Sequence, residues 1–440
     1  MKLFYVLIIL TIFCSCSFDN KSGIWDNSNI SDKENKLFKD FKEVSISSDQ
    51  FNEIITIKDN YKFKLSPPIK NLEWKDFFYN QYNNSKNFNY NTNNKSIFKS
   101  KKLSKFNTKK YILIENNNLI LNDFKGNIII YSINENKIIS KFNFYKKKYK
   151  KIKKNLNLVV EKNIIYVSDN IGFLYAYNYK LDKVLWAKNF KKPFRSNIKI
   201  FSNKILASNE KNDLIIFNKK DGNILKKIPT EETIINNKFI NNISTNNTDT
   251  IIYLNSFGSL YSVDSNSLNI NWFINLTSSN ELNLNNLFSG VEIVNDKKKL
   301  IVSSSTNTYV IDIKTGLIEN KFNFSSLVRP IINNQYAFFI TKNDLLIAVD
   351  LKNKKILYSY NINNKIADFL NLKKKNVSFF AFRLVENSLM IFLTNSYVLN
   401  FKINGELKEI YKLPKKIHSE PVIIQGSLIY LEKKNKLILN

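Results

Sequence analysis

The sequence predicts an all-β protein, an eight-bladed β-propeller of four-stranded antiparallel blades closed by an N-terminal strand. Trp186 and Trp272 are 86 residues apart, and Tyr358 follows Trp272 after another 86. This spacing equals two units of about 43 residues, a period typical of four-stranded propeller blades. Inside each unit, apolar residues alternate with polar ones, as in half-buried strands. Turn signals such as Asp221-Gly222 and Asn404-Gly405 lie where successive strands should reverse.

Eight copies of the unit follow one another along the chain. They are Asn118–Phe144, Asn163–Phe190, Lys204–Pro229, Thr250–Leu276, Lys299–Phe324, Gln335–Ile362, Ser388–Leu413 and Ser427–Asn440. Helical repeats of similar length would need apolar residues at spacings of three and four, whereas these segments alternate at two and are rich in Ile, Val, Phe and Tyr. The repeat therefore indicates strands.

The eighth copy is truncated, so the ring can close only if a strand comes from elsewhere in the chain. A short alternating segment, Asn71–Phe77, precedes the repeats and contains Trp74. Pairing this segment with the C-terminal strands would protect sheet edges that otherwise invite aggregation. We therefore expect the strand near Trp74 to close the ring, and residues 51–440 to form the propeller, with a disordered Asn-rich loop at about 80–100.

The N-terminus has the features of a bacterial lipoprotein signal. Met1-Lys2 is followed by an apolar run, Leu3–Phe13, that is too short to span a bilayer. Ser15 supplies the small residue that lipoprotein processing requires before the acylated cysteine, so Cys16 is the predicted lipidation site. Residues 1–16 then form the signal peptide and the lipidation site, and residues 17–50 form a flexible polar tether. An ordinary cleaved signal peptide is the alternative.

Composition argues against nucleic acid as a partner, although the formal net charge is +30. Lys, Asn, Ile, Phe and Tyr are abundant together, as a coding bias towards AT-rich codons would produce, and Arg, the better reader of phosphates and bases, is nearly absent. Lysine clusters such as Lys146–Lys154 are more compatible with attraction to anionic lipid headgroups. No cysteine follows Cys16, so an exported chain would fold without disulfides, on core burial alone.

Three runs of this chain, Gly172–Tyr177, Gly258–Asp264 and Asp182–Trp186, resemble the repeats of the PQQ-like propeller family. The repeats of that family share a Gly-x-Leu-x-Ala-Leu-Asp pattern followed by a Trp. The family's Trp position is kept at Trp186 and Trp272 but carries Ser140, Lys226, Asn320, Tyr358 and Glu409 in other copies. Because Trp186, Trp272 and Tyr358 recur at the blade period, we interpret them as packing residues between blades.

Eight copies combined with a lipidation signal resemble, within this family, the lipoproteins of outer-membrane β-barrel assembly. The resemblance implies a monomeric, non-enzymatic scaffold on the outer membrane, lipid-anchored and facing the periplasm, that binds the periplasmic domains of the barrel-assembly protein. It also implies that a loop bearing an arginine contacts this partner, which makes Leu327 and Arg329 the candidate partner-binding residues. A solvent-facing arginine without such a role is the alternative for Arg329.

Two other functions remain open from the residues alone. One is a propeller that binds an envelope polysaccharide or another periplasmic ligand, and the other is a quinone-dependent dehydrogenase, since such enzymes share the repeat. The dehydrogenase is disfavoured because no calcium site or catalytic aspartate can be placed. His418 is the only histidine, and no cysteine remains for a thiol mechanism or zinc cluster, so no cofactor, metal or catalytic residue is expected.

The signal predicts that Cys16 becomes the acylated N-terminal residue of the mature protein. Mass spectrometry of the mature N-terminus should show a diacylated or triacylated cysteine. An unmodified N-terminus beyond residue 16, or retention of Leu3–Phe13, would show that the ordinary signal peptide is the correct interpretation.

Overall fold

The computed structural model describes residues 50–91, 98–231, 240–277, 288–373 and 376–440. Cys16 and nearly all of the predicted tether lie outside these ranges. Within them, eight sheets of four or five strands follow one another as the blades of a propeller, which confirms the predicted fold class.

The strands are numbered in chain order. Two precede the repeats: β1 (Asn87–Phe88) and β2 (Phe98–Lys102). Blades 1 to 4 contain β3 (Leu113–Glu115), β4 (Asn118–Asn122), β5 (Asn127–Ser132), β6 (Lys137–Asn143); β7 (Leu156–Glu161), β8 (Ile164–Asp169), β9 (Phe173–Asn178), β10 (Lys183–Asn189); β11 (Lys199–Phe201), β12 (Lys204–Ser208), β13 (Leu214–Asn218), β14 (Ile224–Ile228); and β15 (Asn242–Thr245), β16 (Thr250–Leu254), β17 (Ser259–Asp264), β18 (Ile270–Asn275). Blades 5 to 8 contain β19 (Val294–Asn295), β20 (Lys299–Ser303), β21 (Thr308–Asp312), β22 (Ile318–Phe322); β23 (Ile331–Asn333), β24 (Tyr336–Ile340), β25 (Leu345–Asp350), β26 (Lys355–Asn361); β27 (Phe379–Val385), β28 (Ser388–Leu393), β29 (Tyr397–Lys402), β30 (Leu407–Lys412); and β31 (Val422–Ile424), β32 (Ser427–Leu431), β33 (Lys436–Leu439).

Among the described residues, two short helices lie in connections between strands. A 3₁₀ helix, Lys147–Tyr149, lies between blades 1 and 2, and α1 (Ile362–Leu370) follows β26. The side chain of Asn361 caps α1 by accepting a hydrogen bond from the backbone N–H of Asn364 (3.1 Å), and Asn371 ends the helix in the left-handed conformation.

In each blade the first strand lies nearest the axis of the ring. The second and third strands of blades 1 to 6 are almost wholly buried, because both of their faces pack against neighbouring blades. In blades 7 and 8 the second strand is buried in the same way, whereas the third is only half buried. One cluster, for example, joins Ile128 and Ile130 of blade 1 to Leu158 and Val167 of blade 2. The core is therefore divided among the blade interfaces, and each blade depends on its neighbours.

The outermost strands share a β-bulge that explains the repeat position. In blades 1 to 7 the pairing register shifts by one residue just before Ser140, Trp186, Lys226, Trp272, Asn320, Tyr358 and Glu409. A bulge re-aims the side chain that follows it. The seven positions that we aligned by sequence therefore occupy equivalent places.

The two tryptophans reach from this bulge to the next blade. The indole N–H of Trp186 donates to the carbonyl of Lys219 (3.2 Å), and that of Trp272 donates to the carbonyl of Ile313 (2.9 Å). The rings cover Gly222 and Gly316, both at positive φ, where a Cβ atom would lie 2.5 and 2.7 Å from the rings. Glycine is thus required at these turns for both backbone conformation and space.

A strand from the N-terminal region closes the ring, but the prediction that it comes from near Trp74 is wrong. β2 pairs antiparallel with β33 and forms the outer edge of blade 8. Trp74 instead lies at the axis, where its backbone exchanges two hydrogen bonds of 2.8 Å with Ile114 of β3. Trp74 is 1% exposed, so it is a core residue.

The segment 71–91 occupies the axis of the ring and contacts the innermost strand region of all eight blades. In the order of blades 8, 1, 2, 3, 4, 5, 6 and 7, these contacts join Asn71 to Ile423, Trp74 to Ile114, Lys75 to Val160, Asp76 to Lys199, Gln81 to Thr245, Tyr82 to Asn295, Asn84 to Ile332 and Asn87 to Leu384. We name residues 71–91 the axial segment.

The expectation of a disordered loop at about 80–100 also fails for the residues that the structure describes there. Asn83 and Asn84 are buried, β1 pairs parallel with β27, and β2 belongs to blade 8. The Asn83 side-chain amide donates to the carbonyl of Ile243 (3.1 Å) in blade 4 and to that of Ile293 (3.0 Å) at blade 5. Hydrogen bonds from amide side chains therefore hold this stretch in place, although its sequence has no apolar periodicity.

We predict that Trp74→Ala lowers the stability of the whole ring. The buried indole packs against Tyr79 and Phe88, and its removal should cost about 3–5 kcal/mol through lost burial and the cavity left behind. Denaturant unfolding measures the effect. Leu72→Ala, on the same segment but at a side chain that is 55% exposed, is the control and should change stability by at most about 0.5 kcal/mol. Equal midpoints for both variants would contradict the core role of the axial segment.

Candidate functional site

The candidate site lies on the end of the ring at which the innermost strands begin, which we call the upper face. Residues just before β3, β19, β23 and β31 line two adjoining cavities there, of about 220 and 410 Å³. Phe77 and Phe78, at the turn of the axial segment, line the larger one. We call both cavities together the axial basin.

The two predicted partner-binding residues lie on the connection between β22 and β23, at the edge of the axial basin. Leu327 is 41% exposed, and its backbone N–H donates to the carbonyl of Ile340 (2.7 Å). The side chain of Arg329 is only 9% exposed. The solvent-facing alternative for Arg329 is therefore wrong, and only Leu327 offers an accessible side chain.

Arg329 belongs to a cluster of three cations around one carboxylate, Glu420. The nitrogen–oxygen distances are 3.1 Å from Arg383, 3.5 Å from Arg329 and 3.7 Å from Lys110. Burial alone would raise the pKa of Glu420, but the charges of Arg329, Lys110 and Arg383 outweigh it and hold the pKa below its ordinary value. Glu420 is thus an anion that neutralises part of a positive cluster in which the two arginines are buried and Lys110 is half exposed.

The cluster is attached to the axial segment through aromatic rings. The guanidinium of Arg329 lies 4.7 Å from the ring centre of Phe78, and that of Arg383 lies 5.4 Å from Trp74. Arg383 also donates to the carbonyls of Phe382 (2.8 Å) and Pro421 (3.2 Å). Blades 6, 7 and 8 are therefore joined to the axis at this point.

Arg383 and Glu420 were missed by the sequence reasoning. The signal that could have found Arg383 is rarity: the chain has three arginines, at 195, 329 and 383, among 67 cationic residues. Two of the three meet on Glu420. Arginine forms more specific contacts with a carboxylate than lysine does, so its selective use in a lysine-rich chain marks the cluster.

Lys109 lies deeper in the larger cavity. Its ammonium group donates to the carbonyl of Leu156 (2.8 Å) and to the side-chain oxygen of Asn157 (2.7 Å), and it lies 5.1 Å from the ring centre of Phe77. Burial, aided by the charge of Lys110, lowers the pKa of Lys109 to about 7. The cavity thus combines aromatic rings, amides and a weakly basic amine.

The other residues considered for chemistry have structural surroundings. His418 lies 3.1 Å from the carbonyl of Thr108 through its Nε2 atom, in the connection between β30 and β31. Among the residues that the structure describes, no three His, Cys, Asp or Glu side chains form a group that could hold a metal ion. The same residues contain no helix long and apolar enough to cross a membrane.

Comparison with protein families decides what kind of propeller this is. The family model described as outer membrane protein assembly factor BamB matches residues 125–360, more than half of the chain. The chain belongs to this family. The predicted resemblance to PQQ-like propellers, and to BamB among them, is thereby confirmed.

Solved structures show the same fold in proteins of different activities. BamB from Moraxella catarrhalis is similar with a TM-score of 0.62 at 10% identity, covering 78% of this chain and 98% of that one. The quinohemoprotein alcohol dehydrogenase from Comamonas testosteroni is similar with a TM-score of 0.60 at 8% identity, covering 81% of this chain and 76% of that one. The C-terminal WD40 domain of Sif2 has a TM-score of 0.55 at 12% identity, covering 78% of this chain and 97% of that one. No curated protein sequence matches the chain. At these identities the structural likeness concerns the fold alone.

The Glu420 cluster predicts a pH-dependent contribution to stability. Because the folded-state pKa of Glu420 is lowered, the contribution is fully present above the ordinary glutamate pKa and is lost as the pH falls through the lowered value. Glu420→Gln should therefore lower the unfolding midpoint at neutral pH, and the difference from the native protein should shrink under acid conditions.

Glu406→Gln is the matched control, since Glu406 forms an exposed ion pair with Lys402 (2.9 Å). Exposed pairs contribute little, so this variant should differ from the native protein only slightly at any pH. A loss that is the same at neutral and acid pH for Glu420→Gln would mean that the carboxylate charge is not what stabilises the cluster.

Proposed function

We propose that this protein is a non-enzymatic lipoprotein scaffold that binds a partner in outer-membrane β-barrel assembly. Membership of the family described as outer membrane protein assembly factor BamB is the observation that carries this proposal. In this proposal Cys16 holds the chain on the outer membrane, facing the periplasm, and the partner is the periplasmic part of the barrel-assembly protein.

The filled axis supports binding at the rim of the ring. A propeller can enclose a ligand in its central channel, but here the axial segment takes that space and is bonded to every blade. This observation also disfavours an enzyme of the quinone-dependent type, in spite of the similar fold of the Comamonas dehydrogenase. Partner contacts are then expected from loops on a face of the ring.

Leu327 is the best-placed contact residue on the upper face. It is an exposed apolar side chain next to the axial basin, on a connection held by Arg329 and Glu420. A side chain on a rigid support loses less conformational freedom when it binds a partner. In this proposal Arg329 assists by fixing the connection, and Leu327 makes the contact.

A second candidate function is the binding of an envelope polysaccharide. The larger cavity of the axial basin, about 410 Å³, has the size of a small-ligand site, and it is lined by aromatic rings and by the amides of Asn157, Asn197 and Asn242. Phe77 and Tyr111 stack there with ring centres 4.9 Å apart. Rings and amides together are suited to a sugar.

The scaffold proposal predicts that Leu327→Asp reduces recovery of the partner without unfolding the ring. A charged side chain at an apolar anchor should weaken binding by about 1 kcal/mol or more. The measurement is affinity purification from detergent-solubilised envelopes, with the amount of a large outer-membrane barrel protein compared between variants.

Leu317→Asp is the control, since Leu317 is 66% exposed on the turn between β21 and β22. It should leave recovery unchanged. Equal recovery with both variants would remove Leu327 from the interface. Retention of the protein on an envelope-glycan column, without any barrel protein in the purification, would favour the second function.

A further inference from the structure

The connection between blades 1 and 2 forms a basic pocket that the proposed scaffold function does not use. It has a volume of about 420 Å³ and is lined by Phe106, Lys125, Asn127, Asn143, Tyr145, Lys146, Lys147, Lys150 and Lys154. Seven of the nine residues in Lys146–Lys154 are lysines. The 3₁₀ helix Lys147–Tyr149 gives this run a defined backbone.

The pocket is built around a buried lysine. Lys154 is 1% exposed, and its ammonium group donates to the carbonyl of Tyr149 and lies 5.3 Å from the ring centre of Tyr145. Gly126, at positive φ, lets that ring lie close, because a Cβ atom there would be 2.6 Å from it. The position of Lys154 is therefore fixed by packing rather than left to a mobile surface chain.

The lysines of the pocket have little compensating negative charge among the residues that the structure describes. Among the described residues, none of Lys125, Lys154 and the other six lysines of Lys146–Lys154 lies within 4.0 Å of a carboxylate oxygen. Asp169 acts on Lys154 from farther away, but its oxygens already accept from the Tyr145 hydroxyl (2.5 Å) and from the backbone N–H groups of residues 171–173. Burial and the charge of Lys125 both lower the pKa of Lys154. An anion in the pocket would relieve this repulsion.

Exposed apolar side chains adjoin the lysines. Ile152 is 44% exposed within the lysine run, and Phe106 is 42% exposed on the pocket wall with Lys125 near its ring. A free phosphate ion offers nothing to these side chains, whereas a membrane surface offers anionic headgroups beside an apolar phase. Several aromatic rings that could stack on nucleic-acid bases are already covered by lysine ammonium groups. The ammonium group of Lys153, for example, lies 4.1 Å from the ring centre of Phe124.

We propose that this pocket binds the phosphodiester headgroup of an anionic phospholipid, with Ile152 and Phe106 at the membrane interface. Lys147 and Lys150 face the headgroup from the exposed side, and Lys154 lies behind it. The site gives the propeller a second, reversible attachment to a membrane, in addition to any lipid on Cys16, and it is independent of the partner at the axial basin.

The test uses the chain from Ser17 onward, which keeps every described residue and contains no cysteine for acylation. Flotation with vesicles of phosphatidylcholine alone is compared with flotation with vesicles that also contain phosphatidylglycerol. We expect salt-sensitive binding to the second kind only. Lys147→Glu combined with Lys150→Glu should weaken it at least tenfold, because each lysine near an anionic surface contributes substantially.

Lys314→Glu combined with Lys352→Glu is the matched control, since both lysines are exposed on turns of other blades and the change in net charge is the same. An equal loss with the control pair would mean that net charge alone drives binding, and would overturn the pocket. Absence of binding to phosphatidylglycerol vesicles would overturn it as well. Equally tight, Lys147-dependent binding of soluble glycerophosphate or of single-stranded DNA would overturn the assignment to a membrane lipid.

Discussion

The structure depends on one constraint: the innermost strand of each blade has a free edge of backbone N–H and C=O groups at the axis, and buried groups of this kind need partners. The axial segment supplies them. Ile114, Val160, Thr245 and Asn295 each bond to its backbone, and Ile332 bonds in both directions to the amide of Asn84. One stretch of chain thereby links all eight blades.

The repeat made the ring predictable, because strands buried on both faces and a fixed period leave clear patterns in the sequence. The axial segment left no such pattern. Its contacts come from asparagine amides and backbone groups, which carry no apolar periodicity, so Asn83 and Asn84 looked like part of a disordered loop although both are buried. β2 was overlooked for a related reason, since four of its five residues are not buried and three are lysines.

The candidate site was predictable in place but not in role. The order of the repeats put Leu327 and Arg329 on a connection before a blade, and the structure has them there. Sequence could not show that Arg329 is turned inward, because its partner Glu420 lies 91 positions away and meets it only when blades 6 and 8 converge on the axis. Long-range charge pairs of this kind follow from ring closure, which a linear pattern does not encode.

The filled axis and the charged cluster together explain how a lysine-rich propeller can be rigid where recognition is proposed. Arg329 and Arg383 share one carboxylate and lie against Phe78 and Trp74, so the upper face near the axis is fixed by the same segment that joins the blades. A side chain held on such a support loses little conformational freedom on binding. In the proposed role, Leu327 therefore depends on the axial segment beneath it, and damage to that segment should affect recognition as well as stability.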